Sequence, residues 1–110
     1  MLLRKEDFVC SKPTEKIERC ILAVGDKLML IVNTLEPGAL VPWHSHPHEQ
    51  VSYVFKGRLT VKSQEGTYTV NEGEVLLFKS NEPHEVLNPG PEAAVVFEVF
   101  SPPREDFLKK

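Results

Sequence analysis

The stretch Val41-Pro42-Trp43-His44-Ser45-His46-Pro47-His48-Glu49-Gln50 places three of the chain's four histidines within five positions and closes on a neutral amide. In an extended segment, residues two apart face the same way. His44 and His46 are therefore expected on one side, with Gln50 on the same parity if Pro47 does not shift the register. Imidazole is the commonest biological metal ligand, and a His-x-His pair on a strand can supply two adjacent positions at about 2.0–2.1 Å from an ion such as zinc. His84, in Glu82-Pro83-His84-Glu85-Val86 near the start of a later strand, is a further donor. His48 has ligand parity too, but between Pro47 and Glu49 it reads equally as a solvent-facing side chain. On spacing alone a solvated loop competes with a metal site, and Gln50 could orient a histidine instead of ligating.

Outward from this stretch the dominant period is two, with short apolar segments separated by turn signals. Residues 17–24, 27–35, 51–56, 58–63, 67–71, 75–78 and 93–100 read as strands. Between them lie Gly25-Asp26, Glu36-Pro37-Gly38, Gln64-Glu65-Gly66, Glu72-Gly73 and Asn88-Pro89-Gly90-Pro91, where glycine and proline bend the chain. Many short strands with close turns predict an all-β sandwich or small barrel. Helix is expected only as a turn near Lys5–Phe8 or in the C-terminal Arg104-Glu105-Asp106-Phe107-Leu108-Lys109-Lys110.

At 110 residues the chain reads as one domain, which should bury roughly two thirds of its unfolded surface. The net charge of -3 is mild and the basic residues form no block, so nucleic acid is not an expected partner. The longest purely apolar run, Leu28-Met29-Leu30-Ile31-Val32, is far short of a membrane span, and the N-terminus has too little apolar length for a signal peptide. A cytoplasmic location is expected. Cys10 and Cys20 are too few for a disulfide scaffold and match no zinc-ribbon spacing, so both are read as reduced thiols.

The wider spacing carries a family resemblance. Gly38, five residues, His44, one residue, His46, three residues, Gln50, six residues, Gly57 is similar to the first motif of the cupin superfamily, with Gln50 in the place usually held by Glu. The second motif follows as Gly73, five residues, then Lys79, Asn81, His84 and Asn88, with Lys79 and Asn81 in place of the usual Pro and Gly. The resemblance implies a cupin double-stranded β-helix, a jelly-roll barrel spanning 1–110, with the motif core at 38–88 and a C-terminal pocket segment at 96–107. It further implies a metal held by His44, His46, Gln50 and His84. A Gln carbonyl oxygen is neutral, so a divalent ion in this shell would keep its full charge and favour Lewis-acid polarisation of an anionic ligand over redox oxygen chemistry.

A second constellation is Val96-Phe97-Glu98-Val99-Phe100-Ser101-Pro102-Pro103-Arg104-Glu105-Asp106-Phe107. By parity Glu98 and Phe100 share one face. If that face lines the barrel, burial raises the pKa of Glu98 and a nearby ion lowers it, and such a group can act as general acid or base near neutral pH. Arg104 could fold back over the mouth and clamp a substrate carboxylate. The competing reading is an edge strand with Glu98 in solvent and a charged tail.

His44-Ser45-His46-Pro47-His48-Glu49-Gln50 followed by Val51-Ser52-Tyr53-Val54-Phe55-Lys56-Gly57, together with Phe97-Glu98-Val99-Phe100-Ser101-Pro102-Pro103-Arg104-Glu105-Asp106-Phe107, resembles the small KdgF-type cupins of pectin and alginate breakdown. That resemblance implies conversion of cyclic 4,5-unsaturated uronates to linear keto sugars, with Glu98, Phe100 and Arg104 lining the pocket and Glu98 standing where the family has Asp. Two other classes fit the same residues. One is a cupin oxygenase acting on a small organic acid or diketone; the other is a non-catalytic module binding a carboxylate or sugar. The ion is one of Zn, Ni, Mn, Co or Fe, because three imidazoles and an amide oxygen suit all of them. Val51, Tyr53 and Phe55 are too apolar to stay exposed, so they pack on the opposing sheet or form a homodimer surface, with the N-terminal segment a candidate exchanged strand.

Overall fold

The computed structural model describes residues 1–109. Alternating inward and outward side chains build ten strands: β1 Val9–Thr14, β2 Ile17–Val24, β3 Met29–Leu35, β4 Leu40–His44, β5 Glu49–Lys56, β6 Leu59–Ser63, β7 Gly66–Val70, β8 Val75–Phe78, β9 His84–Leu87 and β10 Ala94–Ser101. They form a six-stranded sheet in the order β1-β2-β3-β10-β5-β8 and a four-stranded sheet in the order β4-β9-β6-β7. Every pairing is antiparallel, and the all-β, jelly-roll expectation holds. The helical content is a 3-10 turn at Lys5–Asp7 and one turn of helix, α1, at Glu105–Leu108. No helix among the described residues is long and apolar enough to cross a membrane.

Three strands exceed the sequence reading. β1 and β4 carry Pro13 and Pro42, which argue against a strand by composition. Both strands are sheet edges, where a residue without an N–H loses no ladder bond. β9 is too short and too mixed in polarity to show a period.

Burial in β10 reads in strict alternation, with Ala94, Val96, Glu98 and Phe100 inward. The inward residues form two apolar clusters. One joins Ile17, Leu35, Val54, Leu59, Val61, Val70, Phe78 and Val96; the other joins Met29, Ile31 and Phe100. Gly57 permits the β5–β6 turn. Its φ is +77°, and a Cβ there would lie 2.8 Å from the Ala93 carbonyl oxygen, so any other residue would force the backbone apart.

Two expectations are corrected. Val51, Tyr53 and Phe55 do not pack on the opposing sheet; they lie on the outer face of the six-stranded sheet and remain exposed. Cys10 and Cys20 are not free thiols. They are direct cross-strand partners in β1 and β2, and this places their sulfurs within bonding distance as a disulfide. Pairing with β2 also seats β1 on its own chain.

Candidate metal centre and its cavity

His44, at the end of β4, and His84, at the start of β9, are paired across the four-stranded sheet. His46 reaches them differently from the strand parity expected for a His-x-His pair. It lies between β4 and β5, outside either strand, and its carbonyl oxygen accepts a hydrogen bond from the Asn81 N–H at 2.8 Å. Asn81 belongs to the turn that leads into His84 and has φ +63°. It thus supplies the left-handed conformation for which the motif uses Gly, and Asn is among the few other residues that tolerate it. The turn therefore ties the two histidine segments together.

The ligand atoms of His44, His46 and His84 all lie within 4.8 Å of one another. Each ring is fixed through Nδ1, which donates to a backbone carbonyl two residues away: His44 to Pro42 at 2.7 Å, His46 to His48 at 3.1 Å and His84 to Glu82 at 2.8 Å. Because a carbonyl can only accept, each Nδ1 carries the proton, and in the neutral ring Nε2 keeps its lone pair. Burial lowers the pKa of His46, and it lowers that of His84 to about 4, so both rings are neutral at pH 7. The His84 ring is also stacked on Phe78, 3.9 Å between centroids.

Gln50 closes the arrangement. Its Nε2 donates to Glu98 Oε1 at 2.7 Å and to Ser52 Oγ at 2.9 Å, which turns Oε1 toward His46 Nε2 at 3.0 Å. With His46 neutral and protonated at Nδ1, two lone pairs face each other across that gap. A shared cation resolves the conflict, since two ligand atoms at right angles about an ion and about 2.1 Å from it stand about 3 Å apart. Three oriented imidazoles and an aimed amide oxygen thus fit a divalent transition metal.

Behind Gln50 sits Glu98, 8 % exposed, between Ile31 of β3 and Ser52 of β5. Its Oε2 accepts from Asn33 Nδ2 at 3.0 Å. Burial drives its pKa up to about 7, against the opposing pull of Asn33, Arg19, Arg104 and Ser52. Phe100 lies edge-on to His46, with ring centroids 5.8 Å apart. Arg104 folds back so that its guanidinium carbon is 4.2 Å from the Phe107 centroid and 5.1 Å from that of Phe100. Its Nε and one Nη donate to the two carboxylate oxygens of Asp106 at 3.0 and 2.8 Å.

These groups surround a cavity of about 260 Å³, lined by His44, Gln50, His84, Glu98, Phe100 and Arg104. His48 stays outside the imidazole cluster. Arg19, Asn33, Ser52 and Phe107 also line the cavity and were not singled out from sequence. A signal for two of them was present: Arg19 shares parity with Ile17 and Ile21, and Asn33 with Ile31 and Leu35, so each is a polar residue on an apolar face. Asn88, fully buried, has a structural role. Its Nδ2 donates to the carbonyls of Leu35 and Glu92, and its Oδ1 accepts from the Gly90 N–H.

A jelly-roll barrel with a convergent imidazole triad at its cavity defines the cupin class, and the chain belongs to the cupin domain family, whose model matches residues 31–100. Within the class it is similar to the pectin degradation protein KdgF of Dickeya dadantii, 32% identical over 93 residues that cover 84% of each chain. Among solved structures, KdgF from Halomonas sp. superposes with a TM-score of 0.86 at 23% identity, covering 97% of each chain. An RmlC-like cupin from Shewanella frigidimarina superposes equally well, TM-score 0.86 at 26% identity, over 94% of this chain and 92% of that one.

Proposed function

We propose that this cupin acts on a small sugar acid of pectin breakdown and converts cyclic 4,5-unsaturated uronates to linear keto sugars. The observation that carries the reading is Glu98: a buried carboxyl that exchanges its proton near pH 7, bonded through Gln50 to the imidazole cluster and lining the same cavity. The similarity to the Dickeya KdgF supports the substrate class.

The isomerisation needs one net proton transfer. The anomeric hydroxyl loses its proton, the bond from the anomeric carbon to the ring oxygen breaks, and the ring oxygen leaves as an enolate oxygen. The ring carbon across the enolate double bond then gains that proton, and the enolate becomes a ketone. Glu98 is suited to both halves because near neutrality its acid and base forms coexist, so the proton it removes from oxygen can be returned to carbon. Asn33 and Gln50 hold its two oxygens in place throughout. Phe100 offers an apolar wall for the sugar face and, with Phe107, keeps water from the enol. An ion held by His44, His46, His84 and Gln50 would supply Lewis-acid stabilisation of the developing enolate oxygen.

The test is to add metal-loaded protein to freshly generated unsaturated monouronate and follow loss of its ultraviolet absorbance against a chelated control and a protein-free blank. Metal-dependent acceleration is expected. Equal rates in all three would remove the linearising activity and leave a binding module.

We further infer that a second copy of the chain covers the outer sheet face. Val99, Val51 and Leu77 are direct partners across β10, β5 and β8, and so are Phe97, Tyr53 and Val75, giving two apolar rows extended by Phe55. Both rows carry no charge, and a flat uncharged face of this kind pairs with itself about a two-fold axis.

A further inference from the structure

Arg19 is a cavity residue whose chemistry the reaction above leaves unused. It projects inward from β2 among Ile17 and Ile21, and its guanidinium carbon lies 3.5 Å from the Phe107 ring centroid. Its Nε is buried and has no hydrogen-bond partner among the described residues. The nearby carboxylates are already engaged: Glu98 accepts from Asn33 and Gln50, and Asp106 takes the fork of Arg104. A buried cationic donor without an acceptor opposes folding. The contact with Phe107 favours a cation there but leaves the donor edge of the guanidinium unused.

Arg104 differs. Its Nε and one Nη are spent on Asp106, and the pair is close to neutral as a unit. An incoming carboxylate could take only its remaining Nη donors, and would meet a charge already shared with Asp106. Arg19 Nε has no such partner among the described residues.

We propose that Arg19 is a substrate-binding residue whose guanidinium receives the carboxylate of the sugar acid, with Arg104 and Asp106 acting as a positioning pair that holds Phe107 beside it. The chemical class follows from the donor: a planar guanidinium with a free edge matches a planar carboxylate. The identification of the ligand as a uronate rests on the function proposed above.

The experiment measures binding without turnover. Metal-loaded wild type, Arg19→Met, Arg19→Lys and Arg104→Met are titrated calorimetrically with galacturonate, which lacks the double bond and so cannot form the linear keto product, and with galactose, which lacks the carboxylate. Wild type is expected to prefer galacturonate. Arg19→Met should weaken galacturonate about tenfold or more while leaving galactose unchanged, and Arg19→Lys should recover part of the loss. Ligand-free Arg19→Met should melt within about 5 °C of wild type, because the unpartnered Nε donor that is lost offsets the lost contact with Phe107.

Equal galacturonate affinity in wild type and Arg19→Met would overturn the proposal, as would loss confined to Arg104→Met or no preference of wild type for the acid. A fall of more than about 5 °C in the melting temperature of Arg19→Met would assign the residue a structural role instead. Arg19-dependent binding of galacturonate without any acceleration in the absorbance assay would sink the linearising reaction and leave this assignment intact.

Discussion

Gln50 spans the two halves of the site: its amide oxygen is 3.0 Å from His46 Nε2 and its amide nitrogen 2.7 Å from Glu98 Oε1. The same neutral group therefore faces the metal cluster with an acceptor and the buried acid with a donor. A carboxylate in its place could face the metal equally well, but it would meet Glu98 with a like charge. Gln50→Glu is thus expected to hold metal about tenfold more tightly against a competing chelator, by Coulomb attraction. It should also push the titration of Glu98 above its value of about 7 and carry the acid limb of the pH–rate profile upward with it, since Glu98 must start ionised to take the anomeric proton. Unchanged metal retention would place Gln50 outside the ligand shell.

Metal binding should be read from stability as well as activity, because an ion that binds only the native chain stabilises it by mass action. At an ion concentration about 100 times Kd the gain is about 2.7 kcal/mol, or about 10 °C in Tm for a chain of this size. His44→Ala is the cleaner probe, being half-buried, whereas His84 is buried and stacked on Phe78, so its removal also costs packing. The expected result is that chelation lowers the Tm of wild type and leaves His44→Ala unmoved. A chelator response that survives in His44→Ala would move the ion elsewhere.

The histidine donors and the inward parity of Glu98 and Phe100 were legible because both depend on near neighbours in the chain. The closing of His46 on His84 was not, since it depends on the Asn81 turn reaching back to a carbonyl in another segment. Arg19 escaped for a similar reason. Parity places it on an inward face, but its meeting with Phe107 follows from α1 folding back over the mouth, which no local period records. The outer face could be read as apolar without showing what covers it. The cysteines were misread because composition reports how many there are and says nothing of which residues pair across strands.

The Cys10–Cys20 bridge closes a short loop between β1 and β2, with a sequence separation of 10. By loop-closure entropy its reduction should cost about 2–3 kcal/mol of stability. Intact mass under non-reducing conditions should show both thiols oxidised, and added reductant should shift the urea midpoint downward. Because β1 contributes Pro13 and Thr14 to the cavity wall, a Cys10→Ser variant should also loosen that side of the site. Two freely alkylated thiols in the protein as isolated, with no effect of reductant, would mean that the pair is not joined in the working protein.

The two apolar rows predict a dimer whose loss leaves the fold intact. Light scattering of wild type should give about twice the 12.5 kDa of one chain. Leu77→Glu and Tyr53→Glu each put a charge on the outer face, where the side chain is more than a third exposed, so their circular dichroism should match wild type while the mass falls to that of one chain. A wild type that scatters as a single chain at micromolar concentration would sink the pairing.

Glu98 makes a signed prediction for stability, best measured on metal-free protein so that no ion perturbs the carboxyl. Its folded pKa, about 7, lies above the ordinary glutamate value of 4.5. Below pH 4.5 the group is protonated in both states and costs nothing. Between there and pH 7 the unfolded chain releases its proton while the native chain keeps it, so the contribution of Glu98 falls as pH rises, against the opposite slope from the buried neutral His46 and His84. Above pH 7 the full difference applies, on the order of 3 kcal/mol at about 1.4 kcal/mol per pH unit. Glu98→Gln preserves the carbonyl acceptor and cannot ionise, so its stability should lose this slope, with the variant overtaking wild type on the alkaline side. The same variant should lose most linearising activity, since an amide neither takes a proton from the anomeric hydroxyl nor returns one to carbon. A difference in stability between wild type and Glu98→Gln that is flat from pH 4.5 to 8 would mean that Glu98 is ionised throughout, and full turnover by Glu98→Gln would remove it from the reaction.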